Sequence, residues 1–203
     1  MSILAPGLLA RLILLSALVA FVTLASGCAR DLPAQHFRLL TFGTYMDLEL
    51  IGVDRQTAEA ARAQLQQDFD IMHRTWHAWE PGPVGRINRL IREGEKGEPV
   101  KMAAPPSVIP LLRLSQDLAQ RSDYLFDPGI GKLVSLWGFH TSELLPHPPP
   151  GQEAIDALLE QAPSVRDIDL EGFHLTCDNP AVSLDFGAIG KGYGVDQAIQ
   201  RLR

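Results

Sequence analysis

Between residues 42 and 53 apolar and polar side chains alternate, Met46, Leu48 and Leu50 against Asp47, Glu49 and Ile51, which is the period of a half-buried strand. Gly43, in its first half, either bends that strand or lets another group approach the backbone. The period then changes. Asp54 stands as an N-cap, and Ala58, Ala61, Leu65, Phe69 and Met72 form one stripe of a helix running to about Met72. A Pro/Gly turn in "HAWEPGPVGRINRL" leads into a short helix. Ser107 predicts the cap of another, with Leu111, Leu114, Leu118 and Ala119 facing inward, and residues 152–161 predict a third after the Pro-rich linker "LLPHPPPGQ". Short strands follow at 165–170, 173–177 and 181–186, joined by turns at Glu171-Gly172 and Asp178-Asn179-Pro180. The last feeds "GAIGKGYG" and a helix with Val195, Ala198, Ile199 and Leu202 on one face. That helix reaches residue 203 without a cap or a following strand, so the chain reads as the N-terminal portion of a longer domain. Strands and helices mix without a regular βαβ alternation. The expectation is an α+β fold, a mixed and largely antiparallel sheet with packed helices.

The first residues break this pattern. "LILLSALVAFVTLASGC" is an uncharged apolar run that follows Arg11 and ends in small residues at a cysteine, as a secretory signal does. Leu24-Ala25-Ser26-Gly27-Cys28 resembles a bacterial lipobox, with Cys28 as the lipid-modified first residue of the mature protein; an uncleaved anchor helix is the alternative. The expected organisation is a signal at 1–27, a polar tether at 28–41 and the folded portion at 42–203, held by lipid on the periplasmic side of a bacterial membrane. Loss of Arg11 takes the formal charge from −6 to −7, which argues against nucleic acid as a partner. Once Cys28 is lipidated Cys177 has no partner for a disulfide. Its place in the alternating "FHLTCD" makes it a small buried residue.

Candidate chemistry gathers in three stretches. In "SLDFGAIGKGYG" a strand ends at Asp185, a glycine-rich turn follows and a helix begins, an arrangement that offers free N–H groups and a positive helix end to a phosphate, with Lys191 adding a mobile charge. The spacing matches neither a Walker A loop nor a dinucleotide fingerprint. A purely structural strand-to-helix turn therefore stays open. "SDYLFDPGIGKLVSLWGF" holds Asp127 in a rigid turn beside Phe126, and in "TWHAWEPG" Trp76 and Trp79 offer stacking faces to a planar ligand. His73 and His77 lack a nearby acidic partner and read as polar loop residues rather than metal ligands.

Taken in order, "FGTYMDLEL", "HAWEPGPVGRINR", "FDPGIGKLVSLWGF" and "LDFGAIGKGYGVDQAIQRL" resemble the four signature segments of the ApbE family, the FAD:protein FMN transferases. The resemblance covers residue 42 to the end and agrees with the lipobox, because many members are periplasmic lipoproteins. It implies an enzyme that uses FAD and Mg²⁺ to move FMN onto a Thr or Ser hydroxyl of an acceptor flavoprotein, a subunit of a membrane redox complex, and releases AMP. Carried over by position, Leu125, Phe126 and Asp127 would contact the adenine-bearing half of FAD. Asp185 and Lys191 would hold it at the glycine-rich turn, and the Ala188 carbonyl would be one magnesium ligand. Trp79 stands where the family usually has Tyr, and Phe42 where many members have Met; both keep apolar contact with a flavin-sized ligand. The remaining magnesium carboxylates and a His-rich flavin-side segment would follow Arg203, and no catalytic residue is assigned. A non-catalytic FAD-binding lipoprotein and a hydrolase splitting FAD into FMN and AMP are the alternative readings.

Overall fold

The computed structural model describes residues 32–94, 98–141 and 148–203. The apolar N-terminal run and Cys28 lie outside the described residues. No described helix is long and apolar enough to cross a membrane.

Strands β1 (Ala34–Thr41) and β2 (Thr44–Ile51) form an antiparallel hairpin, with Leu39 opposite Met46 and Thr41 opposite Thr44. Most of the stretch expected to be a tether is thus a strand. Of its inward positions Gln35, Phe37, Leu39 and Thr41 only two are apolar, and it is held by pairing with β2, by burial of Leu39 and by the Arg38–Asp47 cross-strand bond at 2.7 Å. Phe42 and Gly43 are the loop, with φ of 49° and 70°. Two positive φ values in a two-residue loop match the right-handed twist of the strands. Gly43 therefore serves the turn, while Phe42 accepts a conformation that side chains seldom adopt.

Helix α1 (Arg55–Trp76) begins where expected: Asp54 Oδ1 accepts from the Thr57 amide at 3.0 Å. Ala58, Leu65 and Phe69 are buried along its stripe, and the helix runs one turn beyond Met72. Pro83 opens α2 (Pro83–Glu93), where its missing N–H costs nothing. Strand β3 (Val100–Ala103), which the pattern did not suggest, pairs antiparallel with β5 (His174–Cys177), and β5 pairs with β4 (Ile168–Glu171), giving the order β3-β5-β4. The N-cap of α3 (Ile109–Arg121) is Val108, without a side-chain bond, in place of Ser107. Ser107 precedes it, and its carbonyl accepts from Trp76 Nε1 at 3.3 Å. Leu111, Leu112 and Ala119 are buried, whereas Leu114 and Leu118 are only half-buried. Short helices α4 (Gly131–Leu136) and α5 (Gln152–Leu159) follow.

Two of the strands expected late in the chain change form. Residues 165–167 are a 3-10 turn capped by Ser164, and the strand starts at Ile168. Residues 181–186 join neither sheet. They run parallel to 128–131, with Ser183 donating to the Gly129 carbonyl at 3.0 Å and Gly131 donating to the Ser183 carbonyl at 2.7 Å. Where another strand would lie, the buried side chain of Asn88 accepts from the Leu184 amide at 2.7 Å and donates to the Leu184 carbonyl at 2.9 Å. One amide side chain there replaces a ladder neighbour.

Helix α6 (Gly190–Leu202) buries Gly190, Gly194 and Ala198, while Val195, Ile199 and Leu202 stay largely exposed, so the packed face is the small-residue one. A Cβ on Gly194 would meet the Phe42 ring at 2.9 Å. The main core joins α2, α3, the three-stranded sheet and residues 181–186; a smaller cluster of Leu39, Leu65, Phe69 and Ala198 joins the hairpin, α1 and α6. The architecture is α+β with antiparallel sheets, as the pattern implied, divided into two sheets.

Candidate functional site

A cavity of about 190 Å³ opens where the hairpin loop, the end of α1, the turn after Asp185 and the start of α6 meet. Phe42, Trp79, Asp185 and Lys191 all line it, together with His73, Trp76, His77 and Gly187. Each reaches it for a local reason. The positive-φ loop turns the Phe42 ring flat against Trp76, with centroids 5.9 Å apart and planes 4° apart. The extra turn of α1 places His73 and Trp76 in the wall, and His77 packs its ring edge-on to His73 at 5.1 Å and to Trp79 at 4.2 Å. His73 and His77 are thus cavity-wall groups rather than loop residues, one at the end of α1 and one at its C-cap. Gly194 lets α6 approach the hairpin loop, since a Cβ there would meet the Phe42 ring at 2.9 Å, whereas one on Gly190 would make only ordinary contact with Trp76 at 3.7 Å. Part of the glycine pattern therefore serves close packing.

The Asp185 carboxylate is held at both oxygens. Oδ1 accepts from the Gly187 amide at 2.7 Å and Oδ2 lies 2.8 Å from His140 Nε2, with both side chains nearly buried at 13% and 11% exposure. Burial alone would raise its pKa. The bond to His140, the Gly187 amide and the charges of His140 and His77 together outweigh that and hold the carboxyl below its ordinary range. His140 also stacks on Trp79, centroids 4.6 Å apart, while the indole keeps 41% of its surface exposed. Nothing in the spacing of "LWGFH" links His140 to a residue 45 positions on, and the sequence reading missed it.

Lys191 projects from the first turn of α6, where the Ala188, Lys191 and Gly192 amides make no backbone hydrogen bond among the described residues. Free amides and an ammonium group at one helix start suit a phosphate.

Leu125, Phe126 and Asp127 line neither this cavity nor the larger one beside it. Leu125 is 94% exposed, and Phe126 packs against the main core. The Asp127 carboxylate accepts from Ser164 Oγ at 2.5 Å and from the Gly129 and Val165 amides at 2.8 Å each. It ties two loops together. Ala188 is exposed and, unlike Gly187 and Gly190 on either side of it, does not line the cavity. Among the described residues no three His, Cys, Asp or Glu side chains converge on a point that could hold a metal ion. Magnesium demands about six oxygen ligands, so one carbonyl does not make its site, and the residues described here do not fit the ion by themselves.

The fold is α+β, and its smaller cavity combines aromatic walls, a fixed carboxylate and a lysine at a helix start. Residues 42–203 match the model of the ApbE family, and the chain belongs to that family. It is 36% identical to the FAD:protein FMN transferase of Rhodobacter capsulatus over 185 residues, 90% of this chain and 34% of that protein. The FAD:protein FMN transferase of Klebsiella pneumoniae is 27% identical over 191 residues, 89% of this chain and 53% of that one. In structure the chain resembles the flavin transferase ApbE of Vibrio cholerae with a TM-score of 0.68 at 22% identity, covering 84% of this chain and 53% of that one. The chain thus spans between about a third and a half of the length of these relatives.

Proposed function

We propose that the cavity, at about 190 Å³ too small to enclose a dinucleotide, receives one part of FAD, and that the protein serves transfer of its FMN half to a Thr or Ser hydroxyl of an acceptor flavoprotein, with release of AMP. The observation that carries this is the convergence of Phe42, Trp79, Asp185 and Lys191, from three separate stretches, on one cavity. The aromatic rings supply a dry face for a planar ring system. Asp185, kept charged, accepts from a ligand N–H, and Lys191 with the free amides of α6 neutralises phosphate charge. Anchoring through Cys28 on the periplasmic side of the membrane is part of the same proposal.

Lys191→Ala should weaken FAD binding by about 1–3 kcal/mol, the range for a charge-assisted hydrogen bond. Flavin fluorescence quenching reads the affinity, and an unchanged value removes Lys191 from the site. For the anchor, radiolabelled palmitate should enter the parent protein and not Cys28→Ala; label in the variant refutes the assignment.

A further inference from the structure

His140 does not line the smaller cavity, yet it holds two residues that do. Its Nε2 lies 2.8 Å from Asp185 Oδ2, and its ring stacks on Trp79 with centroids 4.6 Å and planes 25° apart. The two partners come from separate segments, Trp79 from the loop between α1 and α2 and Asp185 from the stretch before α6. A charged carboxylate has no proton to give, so the Nε2–H group donates, and the tautomer follows. As packing alone the pair is a poor choice: it takes a carboxylate and an imidazole out of water, at 13% and 11% exposure, where apolar side chains of similar size would avoid that cost. Nor does it use up the carboxylate. Of about four acceptor sites on an ionised carboxylate, the Gly187 amide and His140 take one on each oxygen, and the rest can meet a ligand N–H.

We propose that His140 is a positioning residue for the ligand of the smaller cavity, fixing the Asp185 carboxylate and the Trp79 indole together so that an N–H donor and a planar ring are met at once. Burial raises the pKa of Asp185, and the His140 bond is the largest influence lowering it, ahead of the Gly187 amide and the charges of His140 and His77. Without the imidazole, burial is opposed by less, and the carboxyl takes up its proton at higher pH. The stacked ring also holds an indole that is 41% exposed, so that less of its ordering falls to the ligand. His73 and Lys191 share the cavity of Asp185. On its other side His140 lines the larger cavity with Glu80 and four cations, Arg86, Arg89, Arg92 and Lys132. All of these groups are unaltered in the variants below. The service of His140 to FAD rests on the reading of the smaller cavity given above, while its hold on Asp185 and Trp79 exists without ligand.

Two variants divide the role. His140→Phe keeps a flat ring behind Trp79 and loses the donor, whereas His140→Gln keeps an N–H at similar reach and loses the ring. Carbon-13 NMR of the 203-residue protein, with Asp185→Asn to assign the signal, follows the Asp185 carboxyl without ligand as the pH is lowered, and flavin fluorescence quenching reads FAD affinity at pH 7. In His140→Phe the carboxyl should titrate at least about one pH unit higher than in the parent, and FAD should bind at least about tenfold more weakly. His140→Gln should leave the titration at the parent value and weaken FAD less, through the lost ring alone. His140→Ala, which loses both, should show the full shift and the weakest binding, and it supplies the donor-loss reading if His140→Phe does not fold. A filler role would instead lower the melting points while leaving the titration in place. A carboxyl that titrates alike in parent and His140→Phe, or that moves as far in His140→Gln, overturns the proposal, as does parent-like FAD affinity in His140→Ala. Should the parent itself bind no FAD, the flavin reading fails, and the ligand-free titration still decides whether His140 sets the state of Asp185.

Discussion

At the scale of single residues, His77 shows how placement sets chemistry. Its side chain is 9% exposed at the C-cap of α1, and burial lowers its pKa, with Glu80 and Asp185 opposing and His73 and His140 adding to the fall. The folded state therefore prefers the neutral imidazole. Below about pH 6.5, the ordinary histidine value, the unfolded chain binds this proton more readily, so stability falls as pH drops from 7 toward the lowered value. Asp185 has the same sign in a different window: its carboxyl is held low, so its contribution is lost only in acid below the ordinary carboxylate range near about 4. Urea unfolding of the parent between pH 7.5 and 5 should show falling stability, and His77→Gln should flatten the slope. A parallel slope in the variant would assign the effect to another group. Cys177 fits its expected role, 2% exposed, with burial pushing its thiol up to about 11.

Among elements, the segment after β5 depends on Asn88. Its side chain bonds the Leu184 backbone twice and donates to the Ala78 carbonyl at 3.0 Å, so one residue of α2 aligns both the approach to Asp185 and the loop that carries Trp79. Asn88→Ala removes all three bonds and leaves buried backbone groups unpartnered, which should cost about 2–4 kcal/mol. Denaturant unfolding measures this, and a loss under about 1 kcal/mol would show that the segment holds its place without the clasp. The same case explains what pattern reading can reach. Helix α1 and strand β2 were legible because their signals, a cap three residues from its amide and a strict alternation, lie inside one element. Strands β1 and β3 were not, since they are stabilised by partners elsewhere, and residues 181–186 alternate like a strand while their neighbours are residues 128–131 on one side and an amide 96 positions earlier on the other. Asp127 illustrates the converse. A carboxylate in a rigid turn signals a site and a structural latch equally well in sequence, and three bonds to 129, 164 and 165 show it latching.

For the whole molecule, the consequence is that the smaller cavity is a junction. Its walls come from the hairpin loop, α1, the loop carrying Trp79, the turn at Asp185 and the start of α6, segments that span the chain from Phe42 to Lys191. The hairpin, α1 and α6 share a cluster of only four buried residues, reinforced by the Arg201–Asp68 pair at 3.0 Å on the surface. A ligand seated at this junction touches every one of these pieces at once, and no such site survives in the unfolded chain. Binding must then raise global stability by mass action, about 2.7 kcal/mol when free ligand reaches a hundred times its dissociation constant. FAD should accordingly raise the melting temperature of the parent protein in a concentration-dependent way. Trp79→Ala, at an exposed indole, should leave the ligand-free melting point nearly unchanged and reduce the FAD-induced rise. Scanning calorimetry with increasing FAD separates the readings: a rise lost in Trp79→Ala supports the junction as the flavin site, whereas no rise at saturating FAD would make these rings and glycines packing alone.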